Sequence, residues 1–181
     1  MRNPLIFLIT TLADLYLLAF LLRFILQWIR ADFYSPFAQA VVKITNPLIL
    51  PVRRVVPSSR RVDLPTLVVL MVLQAIVTSV ILSIAGLTVT LFQLPLLVMY
   101  RLISLTLWFY SVSIFIYVIL SWTGQGSYNP TALVLSELNE PLLRPGRRVL
   151  PSIAGLDLSP MLVLIILQAG LMAVPLPGFP R

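Results

Sequence analysis

The 181-residue chain is 59% hydrophobic and 10% charged, whereas a soluble domain has about 25% charged residues, so a soluble globular protein is excluded. It contains neither histidine nor cysteine, which excludes disulfides, thiolate or imidazole metal ligands, and catalytic triads that use histidine. The formal net charge of +7 in so apolar a chain indicates anionic lipid headgroups or a topology signal rather than nucleic acid.

Four apolar runs predict four membrane-spanning helices, at residues 5–29, 64–85, 94–122 and 161–174. A bilayer core of about 30 Å needs about 20 residues, and only the last run is near the lower limit of length. The first run contains Asp14 and has no small-residue cleavage site, so it predicts a retained helix rather than a signal peptide. The long segments after the first and third runs are rich in proline and arginine.

The chain repeats itself at an offset of 94 residues, without a gap. Residues 1–87 form the first copy, residues 88–94 a linker and residues 95–181 the second copy. Rare residue types match at fixed spacing, which apolar bias alone does not produce. Two spans in each copy predict parallel repeats related by a pseudo-twofold axis along the membrane normal. The matched positions of the motif are Pro47, Pro51, Arg53, Arg54, Pro57, Asp63 and Gln74 in the first copy, and Pro141, Pro145, Arg147, Arg148, Pro151, Asp157 and Gln168 in the second.

This doubled motif closely resembles the YggT family of integral membrane proteins over nearly the whole chain. The resemblance implies a bacterial inner-membrane protein linked to osmotic stress tolerance and, in some lineages, to cell division. Plastid relatives assist haem attachment to a cytochrome, but this chain cannot ligate haem through histidine. The expected fold is therefore all-α, with four spans and two short interfacial helices.

The interfacial helices are predicted from Pro36 to Pro47 and from Pro130 to Pro141, where apolar and polar residues fall on opposite faces. Their apolar faces pack either on lipid or on the protein's own spans. Beyond them, the prolines predict an extended, stiff segment that holds each arginine pair in a set direction. The pairs either bind anionic headgroups or an acidic partner, or they only anchor the topology.

Positive charge predicts which side of the membrane each segment occupies. Two basic residues lie at the termini, Arg2 and Arg181, so the positive-inside rule places the long segments in the cytoplasm and both termini outside. The nine basic residues of the long segments are Arg30, Lys43, Arg53, Arg54, Arg60, Arg61, Arg144, Arg147 and Arg148.

Polar residues inside the spans need partners. Asp63 and Asp157 are predicted to cap helices, and Asp14 is predicted to pair with Arg101. Gln74 and Gln168 lie near mid-bilayer, where they either join helices or line a solute path. The pseudo-twofold axis would bring these two glutamines together, and likewise Lys43 and Glu137.

These features predict a scaffold, assembly or stress-tolerance factor that is not an enzyme and has no metal or cofactor. Its cytoplasmic proline- and arginine-rich face would engage anionic lipid or a membrane or cytoplasmic protein partner. The alternative is a small channel or transporter component in osmotic adaptation. Nucleic acid is not an expected partner, and homo-oligomerisation stays open.

Overall fold

A computed structural model describes residues 4–29, 35–57, 63–88, 90, 92–123, 130–149 and 157–175. Throughout these ranges the regular structure is helical, and no strand occurs in them. The helices are α1 (Pro4–Trp28), α2 (Pro36–Arg53), α3 (Leu64–Ile84), α4 (Gln93–Thr123), α5 (Pro130–Val149) and α6 (Ser159–Ala173).

Among the described residues, three helices are long and apolar enough to cross a membrane: α1 with 25 residues, α3 with 21, and residues 93–121 of α4 with 29. The fourth predicted span corresponds to α6, which has 15 residues. At 1.5 Å per residue it extends about 22 Å, which is less than the bilayer core. The crossing of the membrane by α6 therefore stays a prediction.

Each half of the chain packs its three helices in the same way. In the first half α1 packs on α2 and α3, and α2 on α3; in the second, α4 packs on α5 and α6, and α5 on α6. The halves join where α3 packs on α4, with a smaller contact between α1 and α4. One buried apolar cluster centres on Phe20 and Leu26 and extends into the second half at Leu105 and Leu138, and another centres on Ile114 and Leu143.

The two amphipathic helices are longer than predicted. α2 continues through Pro47 and Pro51, and α5 continues through Pro141 and Pro145, so the predicted helix ends and the extended segment were wrong. Within each helix the prolines are four residues apart and lie on the exposed face. A proline frees the carbonyl four residues before it, and on an exposed face water can satisfy that carbonyl. The arginine pairs consequently lie at the C-terminal ends of helices.

Candidate functional site at the two arginine-rich helix ends

In the first half, Asp63 is the buried acceptor that ties the arginine-rich end of α2 to the start of α3. Its Oδ2 accepts from Thr66 Oγ1 at 2.6 Å and from Arg53 Nη2 at 3.5 Å. Asp63 occupies the predicted N-cap position of α3, but its side chain accepts no backbone N–H there. Pro65 occupies the first turn and has no N–H to offer, and the Thr66 hydroxyl donates instead.

Arg23, in α1, completes this first cluster and was not predicted as a site residue from the sequence. Its guanidinium is buried, and Nη1 donates to Thr45 Oγ1 at 2.7 Å and to Asn46 Oδ1 at 2.9 Å. Its Nε lies 3.7 Å from Asp63 Oδ2. The sequence shows only that Arg23 and Asp63 carry opposite charges near the same end of two predicted spans, and it does not show which sides of those spans face each other.

In the second half, Arg147 is the centre of a more exposed cluster. Its Nη1 donates to Glu140 Oε2 at 2.9 Å, and its Nε donates to Asp157 Oδ2 at 3.0 Å. Asp157 Oδ1 also accepts the backbone N–H of Ser159 at 2.9 Å, at the first residue of α6. This carboxylate therefore both caps α6 and holds the end of α5.

The electrostatics of this second cluster favour ionised partners. Burial raises the pKa of the Asp157 carboxyl, but the hydrogen bonds from Ser159 and Arg147 and the Arg147 charge outweigh burial. The net pKa of Asp157 lies below its ordinary value. The hydrogen bond to Asp157 is also the main cause that raises the pKa of Arg147.

The second arginine of each pair differs from the first. Arg54 and Arg148 are exposed, and neither forms an ion pair with any residue that the structure describes. The same holds for Lys43 and Arg144. Cations at a helix C-terminus are favoured by the macrodipole, so the chain can hold these charges there without a carboxylate. Sequence reasoning grouped the four arginines together, because only the folded helix ends distinguish them.

Exposed apolar side chains accompany these cations on both amphipathic helices. Ile44 and Leu48 are exposed on α2, and Val55, just beyond its end, is 83% exposed. On α5, Leu133 and Val149 are exposed. Apolar side chains beside unpaired arginines form the kind of surface that binds at a headgroup boundary.

Two further predicted pairs have different outcomes. Arg101 Nη2 donates to Asp14 Oδ1 at 2.9 Å, which joins α4 to α1. Gln74 is buried and its amide atoms have no hydrogen-bond partner among the described residues, while Gln168 is exposed. Because the described helices α3 and α6 do not pack substantially on each other, the predicted approach of the two glutamines was wrong.

The predicted pairing of Lys43 with Glu137 does not occur either: both side chains are exposed, and no ion pair joins them. Lys43 lies on α2 and Glu137 on α5, and these two helices do not pack substantially on each other in the described part of the chain.

The arrangement can bind an anion, because each helix end presents a planar guanidinium fork whose donors are not used by a carboxylate. In the described residues no group of three or more aspartate and glutamate side chains is placed to hold a metal ion.

Comparison with known proteins adds a family to this geometry. The model of the family described as CCB3/YggT matches residues 2–85 and 96–176. An uncharacterized protein of Pseudomonas aeruginosa is 44% identical over 166 residues, which cover 90% of this chain and 84% of the relative. The uncharacterized protein YggT of Escherichia coli K12 is 38% identical over 165 residues, covering 91% and 86%. A Vibrio alginolyticus protein is 41% identical over 172 residues, covering 92% and 90%. No solved structure matches the chain.

Proposed function

Because the chain belongs to the CCB3/YggT family of membrane proteins, we propose that it acts as a non-enzymatic scaffold, assembly or stress-tolerance factor of the bacterial inner membrane. Its working surface is the cytoplasmic end of α2 and α5, where Arg54 and Arg148 engage the phosphates of anionic lipids. A protein partner is then recruited to a membrane region rich in such lipids.

The observation that carries this proposal is that, among the described residues, only one arginine of each pair forms an ion pair with an aspartate. Arg53 and Arg147 are committed to Asp63 and Asp157, whereas the neighbouring guanidiniums are exposed and have no carboxylate. A pair that served topology alone would need no such division, because positive-inside orientation depends on the number of cations rather than their pairing.

The expected strength of this binding follows from the charges. Each basic side chain near an anionic leaflet contributes about 1 kcal/mol, so Arg54 and Arg148 together contribute about 2 kcal/mol, or roughly 30-fold in affinity. Exposed apolar neighbours such as Val55 and Val149 add contact with the headgroup boundary.

The test is retention of phosphatidylglycerol or cardiolipin by the purified full-length chain, measured by native mass spectrometry. The double variant R54Q/R148Q should lose retention about 30-fold while its helical content is unchanged. The variant R54K/R148K keeps the charge and removes the fork, so it separates long-range attraction from bidentate binding. Unchanged retention in R54Q/R148Q would overturn the headgroup proposal.

The topology belongs to the same proposal: α6 is the fourth span, both termini are outside and the arginine-rich helix ends are cytoplasmic. Support comes from the packing of α6 on α4, which is long and apolar enough to cross the membrane. A reporter fused after residue 181 should respond as periplasmic, and one inserted between residues 58 and 63 as cytoplasmic. The reverse pattern would place Arg54 and Arg148 on the wrong side of the membrane.

A further inference from the structure

The two halves of the chain meet at a joint between one surface of α3 and one surface of α4. Because the chain is duplicated, each of these surfaces has a matching surface on another helix. At the 94-residue offset, α6 matches α3 and α1 matches α4. In the described helices, α6 packs substantially on α4 and α5 but not on α1. One half of a second joint is therefore available on α6, and the other half on α1.

The surface on α6 is a stripe that faces away from its own half. In α3, Gln74, Thr78 and Ile81 are buried at the i, i+4 and i+7 spacing of one helix face. In α6, Gln168 matches Gln74 and Met172 matches Thr78. Both residues of α6 are exposed, Met172 to 73%.

The surface on α1 is its N-terminal half. In α4, Val98, Arg101 and Leu105 are buried along the face that turns toward the first half. There Arg101 donates to Asp14 of α1, and Leu105 packs in the apolar cluster of α1 and α3. The residues that match them in α1 are Pro4, Phe7 and Thr11, and all three are exposed.

Gln168 indicates that something other than lipid covers the α6 stripe. It lies among the exposed apolar side chains of Met161, Ile165 and Met172, and a side-chain amide that faces hydrocarbon without a partner is costly. Thr11, on the matching surface of α1, donates its hydroxyl proton to the Phe7 backbone O at 2.8 Å, and its Oγ1 can still accept a hydrogen bond from the Gln168 amide N–H. Their depths are similar, because Gln168 is about 8 Å from the end of α6 and Thr11 about 11 Å from the start of α1.

We propose that a second copy of this chain covers the stripe, with α6 of one copy packed on the N-terminal half of α1 of the next. This contact repeats between copies the joint that α3 and α4 make within one copy. Two copies that make both contacts close into a ring of four three-helix units, which leaves neither surface exposed. The proposal is independent of lipid binding, because Arg54 and Arg148 lie at the other ends of the two halves.

The chain has no cysteine, so single cysteines can report this contact without background. Copies with Thr11→Cys and one affinity tag are co-expressed with copies that carry Gln168→Cys and another tag, and membranes are oxidised. A disulfide between the two tagged chains is expected. Ile166→Cys is the matched control, since Ile166 is also exposed on α6 but lies about 200° around the helix from Gln168.

A second measurement avoids dependence on thiol reactivity within the bilayer. The dissociation of fluorescently labelled copies is followed as the membrane is diluted with lipid. Gln168→Leu should weaken self-association about threefold to thirtyfold, in the range of interhelical hydrogen bonds, while Ile166→Leu leaves it unchanged. Monomers at every dilution, equal cross-linking at Ile166→Cys, or cross-linking only between two Gln168→Cys copies would overturn the proposal.

Discussion

The two acid–arginine clusters occupy matched positions, yet the first is buried and positively charged while the second is exposed and negatively charged. Asp63 has a side chain that is 0% exposed, against 37% for Asp157. Where the first cluster has Arg23 and Asn46, the second has Tyr117 and Glu140 at the 94-residue offset. The first cluster consequently contains two cations and one carboxylate, and the second contains one cation and two carboxylates.

This exchange shows how a duplicated joint keeps its geometry with different chemistry. In both halves an arginine at the end of the amphipathic helix reaches the aspartate before the next helix, at Arg53–Asp63 and Arg147–Asp157. The second cation of the first half is supplied from α1, and the second carboxylate of the second half from α5. Only the remaining arginine of each pair is left for an external anion.

Substitution of the two aspartates should separate the clusters most strongly. Asp63→Asn leaves Arg23 buried without its charge partner, so the free energy of unfolding should fall by about 3–5 kcal/mol. Asp157→Asn removes a partly exposed pair and weakens a cap, so the loss should be about 1 kcal/mol. Denaturant titration in mixed micelles measures both values. Equal losses would show that the burial of the first cluster does not govern its contribution.

Reciprocal exchange at the matched positions Asn46 and Glu140 should give effects of opposite sign. Asn46→Glu brings a carboxylate to Arg23 and removes the excess positive charge of the first cluster, so stability should rise by about 1 kcal/mol. Glu140→Asn removes one of two carboxylates from Arg147 and should cost about 0.5–1 kcal/mol. The same titration measures both changes in the free energy of unfolding. A loss of stability in both variants would contradict the expectation that a carboxylate at position 46 offsets the excess positive charge of the first cluster.

How much of the fold and of the two clusters the sequence could predict depends on whether each feature can be recognised without knowing how the helices pack. The candidate spans are predicted from long apolar runs, and the Asp14–Arg101 pair from charges inside those runs. The duplication is predicted from rare residue types that match at one fixed offset. The continuation of α2 through Pro47 and Pro51 could not be read in the same way, because proline usually predicts a helix end. The exposed face on which both prolines lie exists only after α2 has packed on α1 and α3.

The role of Arg23 was similarly out of reach, because it depends on the side that α1 turns toward α2. The different fates of Gln74 and Gln168 depend on the number of helices that surround α3 and α6. Gln74 and Gln168 are identical residues at matched positions, but in the described helices α3 also packs substantially on a helix of the other half and α6 does not, so their environments differ.

The smallest expected effect is the pH dependence of the second cluster. Because the pKa of Asp157 is lowered in the folded state, its contribution is complete above its ordinary pKa of about 3.9 and is lost as the pH falls through the lower folded pKa. The difference in unfolding free energy between wild type and Asp157→Asn should therefore be constant from pH 7 to about pH 4 and decrease below it. A decrease between pH 7 and pH 5 would assign the effect to another group.

The central claim is that neighbouring arginines with the same charge have different tasks, and one matched comparison tests it most directly. R54Q/R148Q and R53Q/R147Q each remove two charges, one residue apart, but Asp63 and Asp157 already neutralise Arg53 and Arg147 locally, so only R54Q/R148Q removes unpaired positive charge from the headgroup boundary. Native mass spectrometry of anionic-lipid retention should show a loss of about 30-fold for R54Q/R148Q and only a small loss for R53Q/R147Q. Equal losses of lipid in the two double variants would contradict the account, because net charge rather than a difference between neighbouring arginines would then determine lipid retention.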